Sequence, residues 1–149
     1  MQEDTVERDM LIQGDAESHK IKQWMLDFVT FVRSENTHVF LHHVYEYKKG
    51  LRNLILHTTS WTNEPKIQER LGREQIAYVI YPLGKNKINV FFGEPICIEV
   101  IKQIGKVKLF DYTDEEDFML GIMLGYDRKK QCERYLGRKQ RHTKDQLIG

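Results

Sequence analysis

One part of the sequence constrains the fold more than any other. Residues 76–81 read Ile-Ala-Tyr-Val-Ile-Tyr, and residues 88–92 read Ile-Asn-Val-Phe-Phe. Runs that are rich in β-branched and aromatic residues are typical of strands. Residues 82–86, Pro-Leu-Gly-Lys-Asn, lie between the two runs and favour a turn. The two runs therefore predict a β-hairpin, and the fold must contain a sheet.

The segments around the hairpin complete the predicted fold. The run Leu-Ile-Leu at residues 54–56 predicts a strand that is buried on both faces. A helix between this strand and the hairpin makes a β-α-β unit, which implies a parallel pair. Amphipathic runs predict the other helices, and Thr113 with Glu116 has the spacing of a capping box. We therefore expect an α+β fold, with a small three-stranded mixed sheet, a possible fourth edge strand at residues 106–110, and five or six covering helices.

Charge is distributed unevenly along the chain and suggests four regions. Residues 1–18 hold six acids and one base, whereas residues 126–144 hold eight bases and two acids. Residues 19–37 carry apolar side chains, including Trp24 and Phe28, at three- and four-residue spacing. This spacing predicts an amphipathic helix. The predicted regions are a mobile acidic arm (1–18), an extra helix (19–37), an α+β domain (38–137) and a basic tail (138–149).

Several observations bear on the class of protein and its location. The hydrophobic share of 40% excludes a fully disordered chain. Cys97 and Cys132 are the two cysteines and lack a framework spacing, which favours reduced thiols. No leader pattern is visible at the N-terminus, and no apolar stretch approaches the roughly 20 residues that span a bilayer. We therefore expect a cytoplasmic protein.

Three blocks of sequence resemble a small bacterial family of unknown function that is often encoded beside a flavodoxin. The blocks are HHVYEYKKGLRNLILHT at residues 42–58, INVFFG at 88–93 and EEDFMLGIMLGYDRKKQCERYL at 115–136. The resemblance covers residues 38–137. It implies three strands with about five helices, and a homodimer. The family brings no established chemistry, so it implies no catalytic residue.

The histidines suggest two possible sites. His38, His42 and Glu46 are spaced by four residues on a predicted helix, a pattern that can hold Zn²⁺ or Fe²⁺. Alternatively, His43 and His57 could meet in space and act as an acid–base pair. A solvated helix face explains the same residues without any site. We therefore expect no metal and no cofactor, and a small metal- or histidine-dependent enzyme stays an alternative.

A basic stripe near the C-terminus suggests a binding surface. Lys130, Arg134, Arg138 and Arg141 are spaced by four, four and three residues, and Arg128 flanks them. Such a stripe can bind an acidic protein or the phosphates of a nucleic acid, or it can simply be solvated. The resemblance favours an acidic protein such as flavodoxin. Cys132, within this segment, is expected to be a small buried hydrophobe.

Residues 118–126 suggest self-association. The predicted helix is apolar nearly all round, and it contains two glycines at G-x-x-x-G spacing. Close approach by another helix would explain the glycines, and that helix belongs either to the core or to a second subunit. The predicted dimer interface consists of Met119, Gly121, Met123, Gly125 and Tyr126. Because no nucleotide-binding or hydrolase motif is present, we expect a non-enzymatic, homodimeric accessory or regulatory protein that binds another macromolecule.

Overall fold

The computed structural model describes residues 37–148. The predicted arm at 1–18 and nearly all of the predicted helix at 19–37 lie outside these residues. The chain divides into two compact units, residues 1–42 and 43–149. Residues 37–48 are helical (α1), so the described part of the first unit is helix. The four-region division of the chain stays a prediction.

Three strands form one sheet in the second unit. The strands are Leu54–Ser60 (β1), Ala77–Leu83 (β2) and Lys87–Gly93 (β3). Their order is β1-β3-β2, and both pairs are antiparallel. The three-stranded sheet and the hairpin are confirmed, but the predicted mixed pairing is wrong. Although β1 and β2 run in the same direction, β3 lies between them and pairs with both.

Helices account for most of the remaining residues that the structure describes. They are α1 and four more: Glu64–Arg73 (α2), Pro95–Ile104 (α3), Asp114–Met123 (α4) and Arg128–Ile148 (α5). The α+β class with a helix-covered sheet is therefore confirmed. Within residues 37–148, the predicted edge strand at 106–110 is absent, and Leu109–Asp111 form a 3-10 turn instead. None of the described helices has the length and apolarity needed to cross a membrane.

Local sequence explains where these helices begin and end. Thr113 and Glu116 form the predicted capping box, in which each side chain accepts a hydrogen bond from the other residue's backbone N–H. This arrangement satisfies two N–H groups at the start of α4. Gly105 ends α3 with φ of 67°, a left-handed conformation that glycine adopts without steric cost. The segment between them turns the chain from α3 into α4.

The main described core lies between the sheet and the helices α3 and α4. Alternation along the strands places Leu54 and Phe91 on the same face of the sheet. The same core contains helix residues and one loop tyrosine: Ile98, Ile101, Tyr112, Leu120 and Leu124. Burial of one such side chain contributes about 1.5–3 kcal/mol relative to leaving it exposed. This packing fixes α4, whose first turn carries the acids described next.

Candidate functional site

Some cations of the predicted basic stripe form ion pairs with acids of α4, and we call the others, which form none with a described residue, the external cations. Arg134 donates two hydrogen bonds to Asp117, at 2.8 and 2.9 Å. Arg138 bonds Asp114 at 2.8 Å and lies 3.1 Å from Asp117. Within residues 37–148, the side chains of Arg128, Lys130 and Arg141 form no ion pair. The middle of the stripe therefore holds α5 against α4, and the three remaining cations stay available to a partner.

Asp114 is the centre of this ionic network. Its side chain is 5% exposed and lies in the first turn of α4. Arg138 donates to Oδ1, and Nδ1 of His142 donates to Oδ2 at 2.8 Å. The hydrogen bond from Arg138 holds the pKa of Asp114 below its usual range, and His142 adds to the effect. The helix N-terminus favours the same negative charge.

The neighbouring acids of α4 are paired as well. The Arg134 guanidinium lowers the pKa of Asp117, and Asp117 raises the pKa of Arg134 in return. Lys106 forms an ion pair with Glu116, and Lys139 lies 2.6 Å from Glu115. These pairs neutralise the acidic first turn of α4. They are exposed enough that each contributes little alone, but the pairs made by Arg134 and Lys139 link α5 to α4.

A groove lies beside this network, between residues 109–112 and α5. Its volume is about 740 Å³, and its apolar lining comes from Leu109, Phe110, Tyr112 and Leu120. Phe110 is 94% exposed. Arg134, Arg138, Arg141, His142 and Asp145 of α5 line the other side, together with Asp117 of α4.

One wall of this groove contains a buried polar atom without a partner. The hydroxyl of Tyr112 has no hydrogen-bond partner within the described part of the chain. Burial raises the pKa of Tyr112 to about 12, so the hydroxyl stays protonated at neutral pH. A buried hydroxyl without a partner is uncommon, because losing its hydration costs free energy.

A second groove separates α3 from α4 and is almost entirely apolar. It encloses about 380 Å³. The residues that line it are Ile96, Cys97, Val100, Phe118, Met119, Ile122 and Met123. Ile96 is 75% exposed, and Met119 and Ile122 are also exposed. One side of α4 is therefore apolar and uncovered by the described residues.

The residues predicted for a dimer interface lie in three different environments. Met119 and Met123 line the apolar groove, and Tyr126 is half-exposed beyond the end of α4. Gly121 is buried against Gln131 of α5, where a Cβ atom would overlap the glutamine side chain. Gly125 has positive φ and follows α4. The first glycine thus serves the packing of α4 on α5, and the second serves the end of the helix.

The described histidines differ in their burial. His38 and His42 are exposed. The rings of His43 and His57 do meet, with centroids 5.6 Å apart. His57 is 5% exposed, and burial lowers its pKa to about 4, with a smaller contribution from His43. Within residues 37–148, no group of three or more His, Cys, Asp or Glu side chains could hold a metal ion.

Glu46 and Cys132 have other surroundings than those predicted. Glu46 lies 3.7 Å from Arg52, whose other contact is Nδ1 of His43 at 3.4 Å. Cys132 is exposed, so its prediction as a buried hydrophobe is wrong. Position 132 lies on a side of α5 that faces away from α4, and charge spacing alone does not reveal that side.

Sequence reasoning missed both grooves and the role of the acids. Asp114 and Asp117 follow Thr113 closely in the sequence, but nothing local pairs them with Arg138 and Arg134. The available signal was a match between two helix faces, because the two acids are three residues apart and the two arginines are four apart, so each pair lies on one side of its helix. Such a match predicts a contact between two helices once they are known to be neighbours.

Comparison with known proteins identifies a family. No curated protein matches the chain. The family model described as "Protein of unknown function (DUF2023)" matches residues 38–138, which cover β1 to β3 and all the contacts between α4 and the first part of α5. The chain therefore belongs to the DUF2023 family.

Proposed function

We propose that the protein is a non-enzymatic, cytosolic accessory protein that forms a homodimer through the groove between α3 and α4. The observation that carries the proposal is the uncovered apolar side of α4, where Ile96, Met119 and Ile122 are exposed together. Contiguous apolar surface of this kind marks interaction sites more often than isolated exposed residues do. A second copy of the same groove is a partner of matching chemistry.

The charges at the two ends of α4 support a two-fold arrangement. Asp111 is exposed just before the helix, and Arg128, Lys129 and Lys130 are exposed beyond its end. A two-fold axis uses the same surface on both subunits, so a residue near one end of α4 can contact a residue near the other end of the partner's α4. If the two copies of α4 run antiparallel, the acidic end of each lies beside the basic end of the other. This arrangement brings opposite charges together and buries the apolar side between them.

The external cations support binding of a further, acidic macromolecule. Arg128, Lys130 and Arg141 form no ion pair within the described residues, and the stripe that contains them runs along α5. The resemblance of the sequence implies flavodoxin as such a partner. Electrostatic complementarity of this type acts mainly on association rate and specificity. Binding should therefore weaken as salt rises, because exposed charges are screened within about 8–10 Å at physiological ionic strength.

Sedimentation equilibrium tests the dimer. The full chain is compared with the Ile96→Glu and Met119→Glu variants at micromolar to high micromolar concentration. We expect a wild-type dimer and two folded monomers, because each glutamate places a charge inside the apolar contact. Leu136→Glu is the matched control, since Leu136 is 58% exposed on α5 and does not line the groove. A wild-type monomer at high micromolar concentration would refute the dimer.

A further inference from the structure

We infer that the groove between residues 109–112 and α5 binds a small organic anion with an aromatic body. This inference goes beyond the proposed dimer, because the groove lies on the α5 side of α4 and shares no lining residue with the groove beside α3. The ligand's aromatic part would contact Phe110, and its carboxylate or phosphate would contact Arg141. Binding here needs no second copy of the chain.

The size and lining of the groove suit a small molecule. Its volume of about 740 Å³ falls in the range of roughly 300–1,000 Å³ that is typical of ligand pockets. Leu109, Leu120 and the ring of Tyr112 supply an apolar surface. Phe110 is 94% exposed beside it. A large aromatic side chain in this position is a ready surface on which a second aromatic ring can stack.

On the α5 side of the groove, the guanidinium of Arg141 has N–H donors that form no ion pair with a described residue. Arg134 and Arg138 already direct their N–H groups at Asp117, Asp114 and the carbonyl oxygen of Tyr112. Arg141 lines the same groove, and its guanidinium forms no ion pair within residues 37–148. A guanidinium presents a planar set of donors that matches carboxylate and phosphate oxygens.

His142 supplies a second polar contact of defined orientation. Its Nδ1 donates to the carboxylate of Asp114, which can only accept. Nε2 is left without a hydrogen-bond partner in the described part of the chain. Asp114 therefore fixes the ring while the other nitrogen is available to a ligand. The chain spacing places Arg141 and His142 on adjacent positions of α5.

Tyr112 and Asp145 complete the description of the groove lining. Tyr112 is 4% exposed and lines the groove, and its hydroxyl has no partner among the described residues. Asp145 is the one carboxylate of the lining without an ion pair to a described residue, so its negative charge opposes the binding of an anion.

Titration with 2-naphthyl phosphate and with neutral 2-naphthol tests the inference. Isothermal calorimetry on the full chain gives the affinities, and ¹H–¹⁵N spectra locate the site. We expect the phosphate to bind about tenfold more tightly than the naphthol, which is the scale of a charge-assisted hydrogen bond. Arg141→Gln should remove that preference, and Asp145→Asn should strengthen it. Phe110→Ala should weaken both ligands.

Arg128→Gln is the matched control, because it removes the same charge from the other end of α5 and should leave both affinities unchanged. The amide shifts should concentrate at residues 109–112 and 138–145. Equal affinity for the phosphate and the naphthol would overturn the inference. So would insensitivity to Arg141→Gln, an equal effect of Arg128→Gln, or shifts confined to Ile96 and Met119 in the other groove.

Discussion

Nε of Arg138 lies 2.8 Å from Oδ1 of Asp114. This hydrogen bond joins α5 to α4 through two residues that are 24 positions apart in the sequence. The same guanidinium reaches the backbone carbonyl oxygen of Tyr112 at 3.3 Å, just before α4 begins. One side chain of α5 thus contacts the helix N-terminus, its capping segment and the acid within its first turn. The position of α5 depends on this residue more than on any other charged residue of the stripe.

Arg138→Gln should therefore loosen α5 from α4. Its guanidinium is 18% exposed and pairs with two carboxylates, and removing it leaves Asp114 buried with a reduced set of donors. We expect faster amide exchange along α5 and a melting temperature lower by about 4–8 °C. Arg128→Gln, at the exposed start of the same helix, should leave both measurements unchanged. If the two variants behave alike, the network does not fix α5.

Buried His57 should make stability depend on pH. Its folded pKa of about 4 lies below the unfolded value of 6.5, so the unfolded chain takes up a proton first as pH falls. The stabilisation is complete above pH 6.5 and is lost as pH falls toward 4.

Urea unfolding at pH 7 and pH 4.5 measures this effect. We expect the free energy of unfolding to fall by about 2–3 kcal/mol between the two values, since one pKa unit corresponds to about 1.36 kcal/mol. His57→Phe should lose most of this dependence, whereas His38→Gln, at an exposed position, should keep it. An unchanged pH dependence in His57→Phe would show that other groups cause it.

Gly121 and Gln131 should behave as a coupled pair. Gly121→Leu should cost about 1–3 kcal/mol, because the new side chain overlaps Gln131 in a packed contact. The atoms in the way belong to a flexible side chain, so shortening that side chain relieves the overlap. Gln131→Ala should recover part of the lost stability in the double variant.

A double-mutant cycle with urea unfolding checks the pair. Independent costs for the two substitutions would show that contact with Gln131 is not the reason why position 121 disfavours a larger side chain. The oligomeric state of Gly121→Leu should match that of the wild type, because Gly121 faces α5 of its own chain.

Gly93 should tolerate substitution far less than other glycines. Its φ is 147°, and a Cβ atom would overlap the backbone carbonyl of Asn53, which cannot move without disturbing β1. Gly93→Ala should therefore cost at least about 3 kcal/mol of stability, by strain and overpacking together. Gly72→Ala is the control, because Gly72 lies within α2 with open space around it. That variant should be neutral or stabilised by about 1 kcal/mol.

The features that could be predicted from the sequence are those that depend on residues close together in the chain. The hairpin runs and the Thr113–Glu116 capping box act through residues a few positions apart, and both are present as expected. The pairing of β1 was mistaken because a strand's own residues do not state which neighbour it joins. A β-α-β order suits a parallel pair, but here β3 takes the place beside β1.

The candidate sites were predictable in smaller part. Charge spacing identified Arg134 and Arg138 as members of one helix face, but not that Asp117 and Asp114 lie opposite them. The edge strand at residues 106–110 failed for a related reason. Residues 106–109 alternate between polar and apolar side chains, as a strand would. In the structure, Lys106 pairs with Glu116, and Leu109 begins a 3-10 turn. Contacts between separate elements decide both cases.

The central position of β3 has a consequence for how the chain is made. β3 is the last strand in the sequence, and it is the one to which both other strands bond. During synthesis from the N-terminus, β1 has no strand to pair with until residue 93 has left the ribosome. A nascent chain that pauses before residue 87 exposes two unpaired strands, and chaperones that bind extended apolar segments would recognise it at that length.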